Sequence, residues 1–121
     1  MQEEDKIVLF KIYANECIFG TGFTYHYNFN KLLDAGLLEL REASRISTYI
    51  TEEGKDLVLS LPIEQLISYT ERFFYDSVKP KMLPLLYKAM ERLAKEELCI
   101  YLVHNLEYIR NISKEIYDST T

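Results

Sequence analysis

Two neighbouring stretches, LLDAGLLE at residues 32–39 and YITEEGKDLV at residues 49–58, decide the fold. In the first, leucines at helical spacing precede Gly36, and glycine commonly ends a helix because it adopts left-handed backbone angles. In the second, Thr51 precedes two glutamates, a pattern typical of a helix N-terminus. Between these two points, β-forming residues predict a hairpin with strands over 37–41 and 46–50 and a polar loop over 42–45.

Upstream of the hairpin, the sequence predicts a buried helix, an extended segment and a second helix. Residues 3–16 contain no glycine or proline, and apolar residues recur there at helical spacing. These residues are Ile7, Phe10, Tyr13 and Ala14, followed by Cys17. Residues 17–25 include Gly20 and Gly22 among apolar residues and threonines, which favours a strand or turn. Asn28 or Asn30 is then expected to cap a helix that stops at Gly36.

Downstream of the hairpin, the sequence predicts further helices. A short helix follows Thr51, another begins at Pro62, and Lys79 followed by Pro80 separates it from the next. The helix after Pro62 has an apolar stripe of Ile63, Leu66, Ile67, Thr70, Phe73 and Phe74. The stripe after Pro80 consists of Leu83, Leu86, Met90 and Leu93. Each stripe predicts an amphipathic helix that buries one face.

The last segment has the most regular pattern. Its apolar positions are separated by 4, 3, 4, 3 and 4 residues, which is the seam spacing of paired helices. We expect this seam to form a homodimer interface, because a single polar residue within it fixes register and oligomeric state. The alternative is an intramolecular helical bundle around the same stripe. The seam consists of Leu98, Leu102, Asn105, Ile109, Ile112 and Ile116.

Composition excludes several classes of protein. The chain has 121 residues, 48% of them hydrophobic, and a formal net charge of −5, so it is neither a disordered chain nor a basic nucleic-acid-coating protein. The acidic start, together with the lack of an apolar run long enough to cross a bilayer, predicts a cytoplasmic protein. Cys17 and Cys99 are expected to be reduced, small buried hydrophobes. Neither they nor the two histidines have metal-ligand spacing, so no metal is expected.

The sequence contains no pattern typical of an enzyme. No set of nucleophile, base and orienting residue stands out, and Gly20-Thr21-Gly22 lacks the third glycine of a dinucleotide-binding loop. We therefore expect no catalytic activity and no cofactor.

The predicted order of helix, extended segment, helix, hairpin and helix across residues 5–61 is that of a winged helix. The residues LLDAGLLE and YITEEG resemble the pattern L-x-x-A-G-L-L-E … Y-x-I/L-T-x-E-G of PadR-like and MarR-like winged helix-turn-helix regulators, although no residue separates the tyrosine from the isoleucine here. The resemblance implies a mainly α fold with a small β-hairpin wing, of class α+β, in which C-terminal helices serve dimerisation. It implies a winged-helix domain over 1–61 and a helical dimerisation extension over 62–121.

The resemblance also implies that the helix after Tyr25 reads DNA in the major groove while the wing contacts the backbone. The groove-facing residues would be Tyr25, His26, Asn28, Asn30 and Lys31. The wing residues that would meet phosphates are Arg41, Ser44, Arg45, Ser47 and Thr48. Asparagine can pair with adenine edges, and lysine can reach guanine or phosphate. The alternative interpretation of these polar residues is a helix cap and a solvated hairpin tip.

The implied function is a homodimeric DNA-binding transcriptional regulator, and two alternatives remain open. The first is a winged-helix protein-interaction module without DNA binding. Residues 1–61 hold six basic and ten acidic side chains, a net charge of −4, which offers little phosphate neutralisation. Moreover, only 11 residues, from Cys17 to Tyr27, separate the first helix from the proposed reading helix. The second is a small-molecule sensor whose ligand lies among Phe73, Phe74, Tyr87, Tyr101 and Tyr108.

Overall fold

The computed structural model describes residues 1–96 and divides the chain into two compact units, one ending at Ser60 and the other beginning at Leu61. The first unit opens with helix α1 (Glu3–Phe19). Three acidic residues lie in its first turn, where their negative charges interact favourably with the positive end of the helix dipole. At the other end, Gly20 takes a φ of 69°, and its N–H donates to the carbonyl of Glu16 at 2.8 Å. This left-handed cap ends α1 later than the sequence pattern predicts.

The buried face of α1 forms the centre of the first unit. Leu9, Phe10, Ile12, Tyr13 and Ala14 are all buried. Cys17 was expected to be buried as well, and that expectation is wrong, because its position near the end of α1 leaves it only partly covered.

The segment after α1 contains a short strand and a short helical turn. Strand β1 (Phe23–Thr24) is followed by a 3₁₀ turn (Tyr27–Phe29) and by helix α2 (Asn30–Asp34). The predicted asparagine cap is wrong: His26 precedes the 3₁₀ turn, and its Nδ1 accepts the N–H of Asn28 at 3.2 Å. The helix predicted over this segment is therefore a 3₁₀ turn joined to a five-residue helix.

Gly36 ends α2 as predicted. Its φ is 75°, its N–H donates to the Leu33 carbonyl, and the next N–H, of Leu37, donates to the Leu32 carbonyl, both at 3.0 Å. This pair of bonds is the Schellman arrangement that satisfies the last carbonyls of a helix.

The predicted hairpin is present and gains β1 as a third strand. Strands β2 (Leu38–Glu42) and β3 (Ile46–Ile50) pair antiparallel, with Leu38 opposite Ile50. Strand β2 begins and ends one residue later than predicted. Strand β1 pairs antiparallel with β3, which gives the strand order β1-β3-β2.

Thr51 joins the hairpin to helix α3 (Glu52–Leu59) and acts as its N-cap, as predicted. Its Oγ1 accepts the N–H of Gly54 at 3.1 Å and donates to the carbonyl of Gly36 at 2.7 Å. Its N–H donates to the carbonyl of Leu37 at 3.1 Å. One residue therefore ties together the end of α2, the start of β2 and the start of α3.

The second unit consists, within the described residues, of two amphipathic helices joined through a 3₁₀ turn. Helix α4 (Ile63–Phe73) follows Pro62, and α5 (Leu83–Glu96) follows the 3₁₀ turn (Lys79–Met82) that contains Pro80. Helices α4 and α5 pack on each other. Their buried side chains include Leu66, Ile67 and Tyr69 of α4 and Leu85, Leu86 and Ala89 of α5.

The fold is thus mostly helical with a small three-stranded antiparallel sheet, an α+β arrangement. Within residues 1–96, no helix is both long and apolar enough to cross a membrane.

Candidate interaction surface

The residues predicted to read DNA follow β1, in the segment that runs through the 3₁₀ turn into α2, and most of them are exposed. His26, Asn28, Asn30 and Lys31 are exposed, whereas Tyr25 is half-buried. The imidazole of His26 stacks on the ring of Tyr27, with 4.4 Å between the centroids. The hydroxyl of Tyr25 donates to Oδ1 of Asn30 at 2.6 Å. Tyr25 and His26 precede the helical segment, which begins at Tyr27, and do not lie on it.

Lys31 is engaged within the chain. Its Nζ lies 3.0 Å from Oδ2 of Asp5 on α1. This hydrogen bond from Lys31 is the main reason why the pKa of the Asp5 carboxyl is lowered. A phosphate would have to compete with that carboxylate for the lysine.

Arg41, on β2, also has a carboxylate partner. Both its Nε and its Nη2 donate to Oε1 of Glu39, at 3.1 and 2.6 Å, and this bonding raises the pKa of the guanidinium. The guanidinium also lies 4.0 Å from the centroid of the Tyr49 ring. These contacts hold Arg41 against the outer face of the sheet.

Arg45 differs from the other two basic residues of the predicted set. It lies in the turn between β2 and β3, is exposed, and forms no ion pair with any residue among 1–96. Together with Ser44 and Ser47 it borders a cleft of about 250 Å³, which we call the polar groove. The other residues lining the polar groove are Thr21, Gly22, Thr24, Ala43 and Tyr49.

Thr48 does not belong to this surface. Its side chain is fully buried beneath the sheet, and its Oγ1 has no hydrogen-bond partner in the described part of the chain. The prediction that Thr48 contacts a phosphate is therefore wrong, because residue 48 points to the opposite face from Ser47.

A second cleft lies on the α1 side of β1. It has a volume of about 440 Å³, and we call it the aromatic groove. Phe23 and Phe29 meet there edge to face, with 6.1 Å between their centroids. Val8, Thr24, Tyr25, His26 and Asn28 complete the lining. Thr24 lines both grooves, so the two clefts adjoin along β1.

The sheet face directed toward α1 carries exposed apolar side chains that the sequence analysis missed. The pairing of Leu40 with Thr48, and of Phe23 with Thr48, places these residues on one face. Thr48 is buried there, whereas Leu40 is 44% exposed and Phe23 37% exposed. Ile46 is 43% exposed on the same face. We call Phe23, Leu40 and Ile46 the apolar patch. The alternation of leucine with charged residues along β2 was a signal that could have revealed part of it.

Glu16 is a partly buried carboxylate near the sheet. Its Oε1 accepts the N–H of Ile50 at 3.4 Å, and burial raises the pKa of its carboxyl. Strand β1 pairs only with Ser47 and Thr48, so Ile50 lies beyond the reach of β1. Glu16 satisfies a backbone group that a longer β1 would bond.

The remaining predicted sites concern the C-terminal part of the chain. The proposed dimer seam from Leu98 to Ile116 lies outside the described residues, as do Cys99, Tyr101 and Tyr108. Of the aromatic residues proposed to bind a small molecule, Phe73 and Phe74 are half-buried and Tyr87 is exposed. Among residues 1–96, no group of three or more potential ligands is placed to hold a metal ion.

Comparison of the chain with protein-family models, curated proteins and solved structures finds no match.

Proposed function

We propose that residues 1–60 form a winged helix that acts as a protein-interaction module. The order of elements in this unit, with a hairpin between α2 and α3, supports the winged-helix interpretation. The hydrogen bonds of Thr51 with Gly36 and Gly54 also support it, because both glycines belong to the sequence pattern that resembles winged helices.

The apolar patch carries the proposal. Phe23, Leu40 and Ile46 are each exposed by more than a third, and they share one sheet face with buried residues. Exposed apolar side chains grouped on one face of a small sheet are typical of a surface that another protein covers. Nucleic-acid interfaces, by contrast, are polar and strongly positive.

The distribution of charge also favours a protein partner over DNA. Residues 1–61 have a net charge of −4, and two of the three basic residues predicted to contact DNA already pair with carboxylates. Phosphate neutralisation supplies most of the nonspecific affinity for DNA. Only Arg45, of those three, offers a cation that forms no ion pair within residues 1–96.

The test compares partners recovered with variants of the full-length chain. A tagged protein bearing both Leu40→Ser and Ile46→Ser should lose a partner that the unaltered protein retains. Tyr87→Ser is the matched control, because Tyr87 is 44% exposed but lies in the second unit. Equal recovery of every partner by the double variant, with its thermal unfolding unchanged, would contradict the proposal.

DNA binding is a second candidate, favoured by the exposure of His26, Asn28 and Arg45. The experiment is a titration of the protein with DNA flanking its coding region, at roughly 50 to 200 mM salt, with nonspecific competitor. If DNA is the partner, binding weakens steeply with salt, and replacing Lys31 and Arg45 with glutamate abolishes it. Absence of binding at the lowest salt would remove this candidate.

We also propose that the protein is a homodimer formed through the seam of residues 98–116. The support is the apolar spacing interrupted at Asn105. Ile109→Asp should produce monomers in sedimentation equilibrium, because a carboxylate in an apolar seam is costly to bury. A dimer that survives this substitution would place the interface elsewhere.

A further inference from the structure

Strand β1 is an edge strand with one open side. The strand order β1-β3-β2 gives β1 a neighbour on one side only. Two residues beyond β1, the backbone of His26 is also extended, with φ and ψ of −138° and 143°. Phe23 and Thr24 are both exposed. An exposed edge of this kind offers its N–H and C=O groups to an extended peptide that pairs with it as a further strand.

The two grooves lie on opposite faces of this edge. Thr24 is opposite Ser47 and shares the face of the polar groove, whereas Phe23 is opposite Thr48 and points into the aromatic groove. Side chains alternate between the two faces along a strand. Two adjacent residues of an added strand would therefore face different grooves.

The polar groove suits a single negatively charged side chain. Arg45 supplies one guanidinium that forms no ion pair within the described chain, and Ser44 and Ser47 add hydroxyl donors. Hydrogen bonds between a guanidinium and a carboxylate are among the strongest that proteins form. Gly22 keeps the groove open beside Tyr49, because a Cβ at residue 22 would lie 2.6 Å from the tyrosine ring.

The aromatic groove suits a large apolar side chain. Phe23 and Phe29 present an edge-to-face pair, and Val8 of α1 closes one side. An aromatic or aliphatic side chain that packs against these rings removes apolar surface from water. An aromatic one can also pack edge to face with them.

We propose that the outer edge of β1 binds an extended segment of a partner protein in which an acidic residue stands next to a large apolar residue. The inference rests on the proposed function and specifies the chemistry of the partner. Residues 1–61 have a net charge of −4, which repels a carboxylate of the partner. The acidic side chain is therefore expected only in the polar groove, where Arg45 attracts it.

The experiment uses the full-length protein and an array of immobilised peptides with a threonine and valine background. Two adjacent central positions are varied through all pairs of residues. Retention should be strongest where aspartate or glutamate stands beside phenylalanine, tyrosine, leucine or isoleucine. In solution, a fluorescent peptide with glutamate and phenylalanine adjacent should bind roughly tenfold more tightly than one with a single residue between them.

Arg45→Glu should shift the preference from acidic to basic residues beside the apolar one. Arg72→Glu is the matched control, since Arg72 is exposed but belongs to the second unit, and it should leave the preference unchanged. Arg45 lies in an exposed turn, so thermal unfolding of Arg45→Glu should match that of the unaltered protein.

The inference is overturned if retention does not depend on the residue pair, if spacing has no effect, or if Arg45→Glu keeps the acidic preference. That failure differs from failure of the proposed function. If the apolar-patch variant still loses its partner while the array shows no pair preference, the interaction surface stands and edge pairing is refuted.

Discussion

Gly54 is the position at which one added methyl group should most disturb the first unit. A Cβ built on Gly54 would collide with the carbonyl oxygen of Leu37 and would lie 2.6 Å from Cγ1 of Ile50. The Leu37 carbonyl also accepts the N–H of Thr51, so it cannot turn away without losing that bond. Gly54→Ala must therefore push α3 away from the start of β2.

The expected magnitude combines three effects. Alanine in a helix is favoured over glycine by about 1 kcal/mol. Loss of the bond between Thr51 and Leu37 costs about 1 kcal/mol. Overpacking of a tight contact costs roughly 1–3 kcal/mol. The free energy of unfolding should fall by about 2 kcal/mol, which lowers the melting temperature of a domain of this size by roughly 8–16 °C.

The assay is thermal and urea unfolding followed by circular dichroism. Gly36→Ala is the matched control in the same junction: its φ of 75° strains alanine, but its Cβ would meet nothing within 4 Å. That variant should lose about 1 kcal/mol from backbone strain alone. If Gly54→Ala is as stable as the unaltered protein, or more stable, the packing of α3 on Leu37 is not as described.

Three further predictions concern buried or partly buried polar groups. Thr48→Val should raise the free energy of unfolding, measured by urea denaturation, by about 1 kcal/mol, because it removes a buried hydroxyl that has no partner in residues 1–96. A loss of stability would show that the hydroxyl is bonded. Glu16→Gln should be the more stable protein at pH 7, because burial raises the pKa of the carboxyl and disfavours its charged form. That advantage should disappear as the pH falls below the ordinary glutamate pKa, and a constant difference across acid pH would contradict it. Burial raises the pKa of Tyr13 to about 12, so stability should decline from pH 10 toward pH 12 as the unfolded chain ionises first, and Tyr13→Phe should abolish that part of the decline.

The hairpin and its flanking helices could be predicted because their signals are local. Gly36 and Thr51 act through backbone angles and hydrogen bonds within a few residues, and both have the predicted roles. The strand from Ile46 to Ile50 has the predicted bounds.

The segment between α1 and β2 could not be predicted at the same level. His26 replaces asparagine as the cap because its Nδ1 reaches the N–H of Asn28, and its ring stacks on Tyr27. Asn30 is engaged instead by the hydroxyl of Tyr25. These choices depend on side-chain contacts that residue preferences do not encode.

The candidate site was predicted only in part, because the exposure and charge of its residues depend on strand pairing and on contacts between residues far apart in sequence. The tie between Lys31 and Asp5 spans 26 positions, and the burial of Thr48 depends on which face α1 covers. Composition could indicate a shortage of positive charge but could not indicate which of the basic side chains would already be engaged.

The hydrogen bond from Ile50 to Glu16 has a consequence for solubility. An uncovered stretch of strand is a template on which chains can stack and aggregate. Because Glu16 accepts the N–H of Ile50, a strand of another molecule cannot bond to this N–H of β3 beyond the end of β1. The carboxylate also places a charge at that position, which chains stacking in register would bring together. Removal of this side chain should therefore promote intermolecular assembly even in molecules that remain folded.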